Sequence, residues 1–200
     1  MRFEDVKNRI ENLHYFSKGW RGIIYRGCFE EKEVAIKVAR SVEKEYSIKK
    51  EADILERLKG YKHFPQILLK GEDFFIYEFI EGKSIEELEL TPEEKLKIYL
   101  QVLDMAYLLD RLKINRDEFA RLDKNLLIGK DRTVYLLDFE RGHMNVKKTH
   151  NFTQFLQFLR KEGILSYQQA IELGKAYRSD PEGIYRHVKD TLIQALSYSS

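Results

Sequence analysis

From Tyr15 to Val38 the chain is a succession of β-branched and aromatic residues. It is interrupted at Gly19, Gly22 and Gly27 and at the polar run Glu30-Glu31-Lys32-Glu33. Such side chains suit a pleated, half-buried surface and such breaks suit chain reversals, so His14–Val38 reads as a meander of about three strands. The apolar spacing then becomes helical over 42–59, at Ile48, Ala52, Leu55 and Leu58, with Gly60 as the C-terminal cap. Gln66–Lys70 and Phe74–Ile80 read as two further strands, closed by Glu81-Gly82. This order predicts a small antiparallel sheet of five strands with one helix inserted after the third. Ahead of it, Phe3, Val6, Ile10 and Leu13 place a short amphipathic helix over 3–13.

Past this point the pattern is mostly helical. Thr91-Pro92-Glu93-Glu94 is a capping box with proline at the first helical position, and Leu96, Leu100, Leu103 and Tyr107 form the buried stripe of a long helix. A charged loop over 115–124 leads to two short strands, Leu126–Ile128 and Val134–Leu137. Three helices follow, capped by Asn151 and Ser166 and opened by Asp180-Pro181. The predicted class is α+β in two lobes, an N-terminal lobe over 1–80 and a reduced helical C-terminal lobe over 81–200, hinged near 80–84.

With 43% hydrophobic and 34% charged residues, the chain can bury a core and is not compositionally disordered. Its 35 basic and 33 acidic side chains nearly cancel, which excludes a supercharged nucleic-acid coat. Charge is uneven along the chain, at +3 over 1–77, −6 over 78–110 and +5 over 111–200. The lone Cys28 has no disulfide partner in the chain, and a reducing compartment is expected. The charged start Met1-Arg2-Phe3-Glu4-Asp5 lacks the apolar stretch of a signal peptide, and no apolar run approaches a membrane span. A cytoplasmic protein without membrane association is expected.

Several residues carry chemistry in a fixed order. In Ser17-Lys18-Gly19-Trp20-Arg21-Gly22-Ile23-Ile24, glycines between two strands let backbone amides approach a phosphate, although a plain hairpin turn has the same look. Lys37 ends Val34-Ala35-Ile36-Lys37; an inward lysine needs an anionic partner, and an edge lysine facing water is the alternative. Glu51 on the following helix is the candidate partner for Lys37, with Glu45 as the fallback. Asn125 precedes one short strand and Asp138 ends the next, a pair of hard oxygen donors suited to magnesium.

Taken together, these residues resemble the protein-kinase-like superfamily over nearly the whole chain. Gly19 and Gly22 look like its second and third loop glycines and Ile24 its loop valine, and Val34-Ala35-Ile36-Lys37 matches its V-A-I-K. The resemblance implies an ATP site built from Gly19, Gly22, Ile24, Ala35, Lys37 and Glu51. Tyr77 resembles the gatekeeper, and Glu78 and Ile80 the hinge that reads adenine. It also implies Mg2+ held by Asn125 and Asp138, in the superfamily's register. There are departures. Asn115-Arg116-Asp117 resembles H-R-D, but Asp117 lies eight residues before Asn125 rather than five. Asp117 is the candidate base, with Asp123 second. The third motif is Asp138-Phe139-Glu140, with glutamate where the flexible glycine belongs, and no A-P-E follows. The long segment on which protein kinases lay a peptide is missing.

The short second lobe and D-F-E resemble a small archaeal kinase-like family near the RIO and sugar-kinase branches. Members phosphorylate an internal ribose 2′-hydroxyl of tRNA at a uridine, which implies tRNA as partner. Arg116, Arg121, Lys124, Arg141, Lys147 and Lys148 are the candidate RNA contacts, and the bland alternative is an ordinary solvated surface. A small serine/threonine protein kinase and an ATP-binding pseudokinase are the rival readings. On the sequence alone, Lys37→Ala is expected to abolish phosphate transfer and leave the fold intact, as transfer assays and circular dichroism would show.

Overall fold

The β-rich stretch folds into β1 (Glu11–Lys18), β2 (Gly22–Phe29) and β3 (Lys32–Ala39), and β4 (Ile67–Lys70) and β5 (Phe74–Glu78) complete the sheet. The five strands are antiparallel in the order β1-β2-β3-β5-β4, in a computed structural model that describes residues 1–122 and 125–199. Glu30 and Glu31 both adopt positive φ (50° and 65°), so β2 and β3 are joined by a two-residue reversal with Phe29 opposite Lys32. Such left-handed pairs match the twist of the flanking strands. Lys32 and Glu33 therefore belong to β3 and not to the turn.

The helix expected over 3–13 is much shorter. It is α1 (Phe3–Val6), followed by a 3-10 turn over Lys7–Arg9, and the chain is already extended at Glu11. Ladder pairing of Glu11 with Cys28 and His14 with Arg26 outweighs the helical spacing. The apolar positions are still buried, with Phe3, Val6 and Ile10 packing with Phe29, Val34, Ile36, Phe74 and Ile76 on one face of the sheet. Gln66 likewise lies outside β4. Its side chain accepts from the Gly60 amide (2.8 Å) and donates to Tyr61 O (2.8 Å), bracing the turn after the helix.

The inserted helix is α2 (Glu45–Arg57), entered through a 3-10 turn over Val42–Lys44. Gly60, at φ 92°, follows its end in the left-handed conformation. The cross-strand rows Ile24–Lys37–Phe75 and Arg26–Ala35–Tyr77 share the sheet face opposite the apolar layer, because successive strand residues alternate.

The chain divides into two compact units, Met1–Glu81 with Tyr135–Gly142, and Gly82–Val134 with His143–Ser200. The second holds α3 (Pro92–Arg111), α4 (Asn151–Lys161), α5 (Tyr167–Tyr177), α6 (Pro181–Ser199) and β6 (Leu126–Ile128). From β6 a turn in which the Gly129 amide donates to Thr133 O (3.0 Å) leads to β7 (Val134–Leu136), where the chain re-enters the first unit. Thr91 caps α3 by accepting from the Glu94 amide (3.1 Å) while Glu94 accepts from the Thr91 amide (2.9 Å). Ser166 caps α5 in the same way. Among the described residues, no helix is long and apolar enough to cross a membrane.

Gly27 tests this packing. A Cβ there would lie 2.6 Å from Ile10 Cγ2 and 2.8 Å from Glu11 O. Gly27→Ala is expected to destabilise the protein by about 1–3 kcal/mol in urea denaturation. At Gly19 the nearest atom to a Cβ is Gly22 O at 3.7 Å. Gly19→Ala should therefore shift stability by no more than about 0.5–1 kcal/mol, and equal effects at the two positions would refute the packing described.

Candidate functional site

The first unit gathers its charged groups around Lys37. β3 carries the side chain inward, where the residue is only 7% exposed. Gly22 makes room for the stem, since a Cβ there would lie 3.0 Å from Lys37 Cγ and 3.1 Å from Val38 O. Lys37 Nζ donates to Glu51 Oε2 at 2.7 Å and to Glu140 Oε1 at 2.6 Å. Glu51 is itself buried on α2. Glu45, the other candidate, instead pairs with Arg2 near the N-terminus.

The segment 135–142 brings Asp138, Phe139 and Glu140 to this cluster within the same unit. The Leu136 amide donates to His63 O (2.9 Å), and Phe139 is fully buried, edge-on to Phe64 at 5.9 Å. The Phe139 amide donates to Glu51 Oε1 (3.4 Å), so Glu51 is tied to both β3 and this segment. Asp138 sits at φ 66°, a left-handed conformation uncommon outside glycine, and its Oδ1 accepts from the Glu140 amide at 3.2 Å. The second oxygen of Glu140 lies 3.7 Å from Arg21 Nη1 in the glycine turn.

Burial by itself would lower the Lys37 ammonium, but the carboxylates of Glu51 and Glu140 outweigh it and hold the group above the ordinary lysine value. Burial pushes Glu51 up against the opposing pull of Lys37, and the charges of Asp138 and Glu140 add to the rise. Glu51 and Glu140 thus share one buried ammonium, with the Arg21 guanidinium on the far oxygen of Glu140. Beside them, burial pushes the Tyr77 hydroxyl up to about 12. At the end of β5 the Glu78 amide donates to Gln66 O (2.9 Å), its carboxylate pairs with Lys32 (2.8 Å), and the Phe79 amide donates to Glu33 O (3.0 Å). Ile80 follows this strand end, half-buried.

The second unit organises the loop around Asp117. Asn115 exchanges backbone hydrogen bonds with His143 (2.9 and 2.8 Å), and its side chain donates to Lys148 O (2.9 Å) and accepts from the His150 amide (2.8 Å). The Arg116 amide donates to Asn151 Oδ1 (3.0 Å). Asp117 is at φ 73° with a side chain 41% exposed, and His143 Nε2 lies 3.9 Å from its Oδ2. A half-exposed carboxylate on a left-handed backbone is held there by its neighbours and not by preference. Asn125 is half-buried, its amide donating to Leu122 O (3.3 Å). Asp123 and Lys124 lie outside the described residues.

The candidate RNA contacts separate by burial. Arg116 is 1% exposed, so a polynucleotide has no access to it, and that expectation is corrected: its guanidinium lies over Phe119, 5.9 Å from the ring centre. Arg121, Lys147 and Lys148 are exposed in the second unit and Arg141 in the first.

One residue that carries this loop is not evident from sequence motifs. Asp110, on α3, is buried and accepts from the amides of Asn151 (3.2 Å) and Phe152 (3.3 Å), from Asn151 Nδ2 (2.9 Å) and from the Tyr177 hydroxyl (2.6 Å). It caps α4 from another helix, whereas Asn151, expected to cap, opens the helix and ties it to Ile114 O (2.6 Å). The signal was present: Asp110 falls two heptads after Leu96 and one after Leu103, a carboxylate in line with the buried stripe.

No protein-family model matches the chain. Among curated proteins it is similar to "Probable serine/threonine-protein kinase mkcF" of Dictyostelium discoideum, 30% identical over 151 aligned residues. The likeness is to the kinase superfamily, and it suggests membership there. It covers 68% of this chain but only 21% of the relative, so the chain spans about a fifth of that protein's length.

Two substitutions test the geometry. Lys37→Met leaves Glu51 and Glu140 facing each other without their cation and should cost about 3–5 kcal/mol. The expectation that Lys37→Ala leaves the fold intact is revised for the same reason. Adding Glu51→Gln, whose carboxamide still accepts from Phe139, should restore at least about 1 kcal/mol in denaturant titrations; no recovery would mean that the carboxylates do not repel. Asp110→Ala, by stripping the acceptor from two amides and a hydroxyl, should cost about 3 kcal/mol and uncover the amides of Asn151 and Phe152 to hydrogen exchange.

Proposed function

We propose that the chain is an ATP-dependent phosphotransferase with a kinase-like two-lobed fold. The observation that carries this reading is Lys37, buried on a central strand, fixed by Glu51 and already holding an anionic group together with Arg21. A nucleotide phosphate suits the same two cations, and the bare backbone at Gly22 leaves room for its approach. In this reading Ile24 and Ala35, which share a sheet face with Lys37, contact the base, and Glu78 and Ile80 supply backbone groups to its edge.

Asp138 and Asn125 are the proposed magnesium ligands. Asp138 fits the part as a half-buried carboxylate on a constrained backbone, and Asn125 adds an amide oxygen. Magnesium, when bound, neutralises charge on the phosphate oxygens. The work left to the chain is to grip, orient and deprotonate. Lys37 grips the phosphates, and Asp117, with His143 beside it, orients the acceptor hydroxyl and takes its proton.

For the acceptor, similarity to a serine/threonine kinase supports a protein hydroxyl better than it supports RNA. One observation favours the second reading, transfer to a 2′-hydroxyl of tRNA. Only residues 139–150 separate Asp138 from α4, too little chain to present a peptide, and the exposed Arg121, Lys147 and Lys148 suit a phosphate backbone.

The test supplies γ-labelled ATP and magnesium with serine- and threonine-containing proteins and, separately, with unmodified tRNA, using Asp138→Asn as the blank. Label in protein supports the first acceptor, and phosphatase-resistant label in tRNA supports the second. In whichever reaction proceeds, Asp117→Asn should lower the rate by about 10²–10⁴-fold with the fold retained. Nucleotide binding without transfer to either acceptor would leave an ATP-binding pseudokinase.

A further inference from the structure

The residue after Phe139 takes a position that a flexible glycine would leave open, and its side chain fills the place where an anion is wanted. Glu140 bridges two cations from separate parts of the first unit, Lys37 on β3 at 2.6 Å and Arg21 in the β1–β2 turn at 3.7 Å. A carboxylate shared by an ammonium and a guanidinium is the arrangement that a phosphate oxygen pair would adopt there. We propose that Glu140 is an internal stand-in for the nucleotide's phosphate, displaced from Lys37 when nucleotide binds, and that it sets how much negative charge a ligand must bring. The proposal rests on the reading of Lys37 as a phosphate-binding residue.

Three features make Glu140 and not Glu51 the carboxylate that leaves. The Glu51 side chain is 5% exposed on a packed helix, and both its oxygens are engaged, by Lys37 and by the Phe139 amide. The Glu140 side chain is 17% exposed, so it has solvent on one side and a shorter path back to water. Its backbone is held independently, by the bond from its amide to Asp138 Oδ1 and by the buried Phe139. The side chain can therefore rotate off the two cations without disturbing the segment that carries Asp138.

Displacement has a consequence for selectivity. A ligand must replace one carboxylate on two cations, so only a group with comparable charge and geometry competes. Di- and triphosphates meet that demand, whereas a nucleoside brings nothing to the exchange. Removing the Glu140 charge while keeping its shape should then strengthen phosphate-bearing ligands alone. Loss of a merely structural contact would weaken all ligands or none.

Calorimetric titration of ADP, ATP and adenosine into the wild type, Glu140→Gln and Glu140→Asp, with magnesium and with a chelator, tests this. Glu140→Gln is expected to bind ADP and ATP about tenfold more tightly, the scale of one charge-assisted hydrogen bond. Adenosine should bind both proteins alike. Glu140→Asp, which keeps the charge but is too short to reach both cations, should lie between them and supplies the same comparison if the glutamine variant folds poorly. Unchanged or weaker ADP binding to the variants, with the wild type binding normally, overturns the proposal. Weakening confined to magnesium also overturns it and makes Glu140 a metal ligand. A wild type that binds none of the three removes the nucleotide reading itself, and this proposal with it.

Discussion

A lysine buried between two carboxylates is the constraint around which the first unit is arranged. An ammonium in that position is tolerable only when paired and hydrogen-bonded, and Glu51 and Glu140 accept from it out of two separate later segments of the chain. Much of the local structure follows. α2 must present Glu51 toward β3, the glycine turn must stay bare at Gly22 where the lysine stem passes, and the segment carrying Phe139 must return to the sheet to deliver Glu140. Phe139 supplies the apolar anchor for that return, so burial of one ring and neutralisation of one charge support each other.

The second unit solves a comparable problem with neutral and acidic side chains. The loop from Ile114 to Leu122 has no regular ladder to satisfy its backbone, and the side chains of Asn151 and Gln154 do so, Gln154 accepting from the Phe119 amide at 3.0 Å, while the Asn115 side chain ties the loop to Lys148 and His150. Asp110 sits beneath, its charge disfavoured by burial and restored in part by the donors around it. Polar networks of this kind rigidify when complete. That rigidity is what holds Asp117 at a positive φ with its carboxylate half in solvent.

Chemically, the two units present different groups. The first unit offers cations and the carboxylate of Asp138; the second offers a constrained carboxylate with a histidine beside it. Glutamate in place of glycine after Phe139 is the feature that most separates this chain from the general kinase pattern. It gives Lys37, and Arg21 beside it, a resident anionic partner.

How much of this was readable in advance depended on the range of the forces involved. The three-strand meander, α2 and the caps at Thr91 and Ser166 were evident because alternation, glycine placement and capping chemistry act over a few residues. The N-terminal helix was overextended for the opposite reason: its spacing is helical, but pairing with β2, a contact between distant residues, claims it from Glu11. Arg116 looked like a surface cation, and only the packing around Phe119 and Asn151 removes it from solvent. The sequence alone determined the α+β class and supplied Lys37 with a short set of acidic candidates. Only the tertiary structure decided that Lys37 meets Glu51 fourteen residues later and Glu140 a hundred and three residues later. An ion pair is made by approach in space, and no local spacing encodes which distant carboxylate arrives.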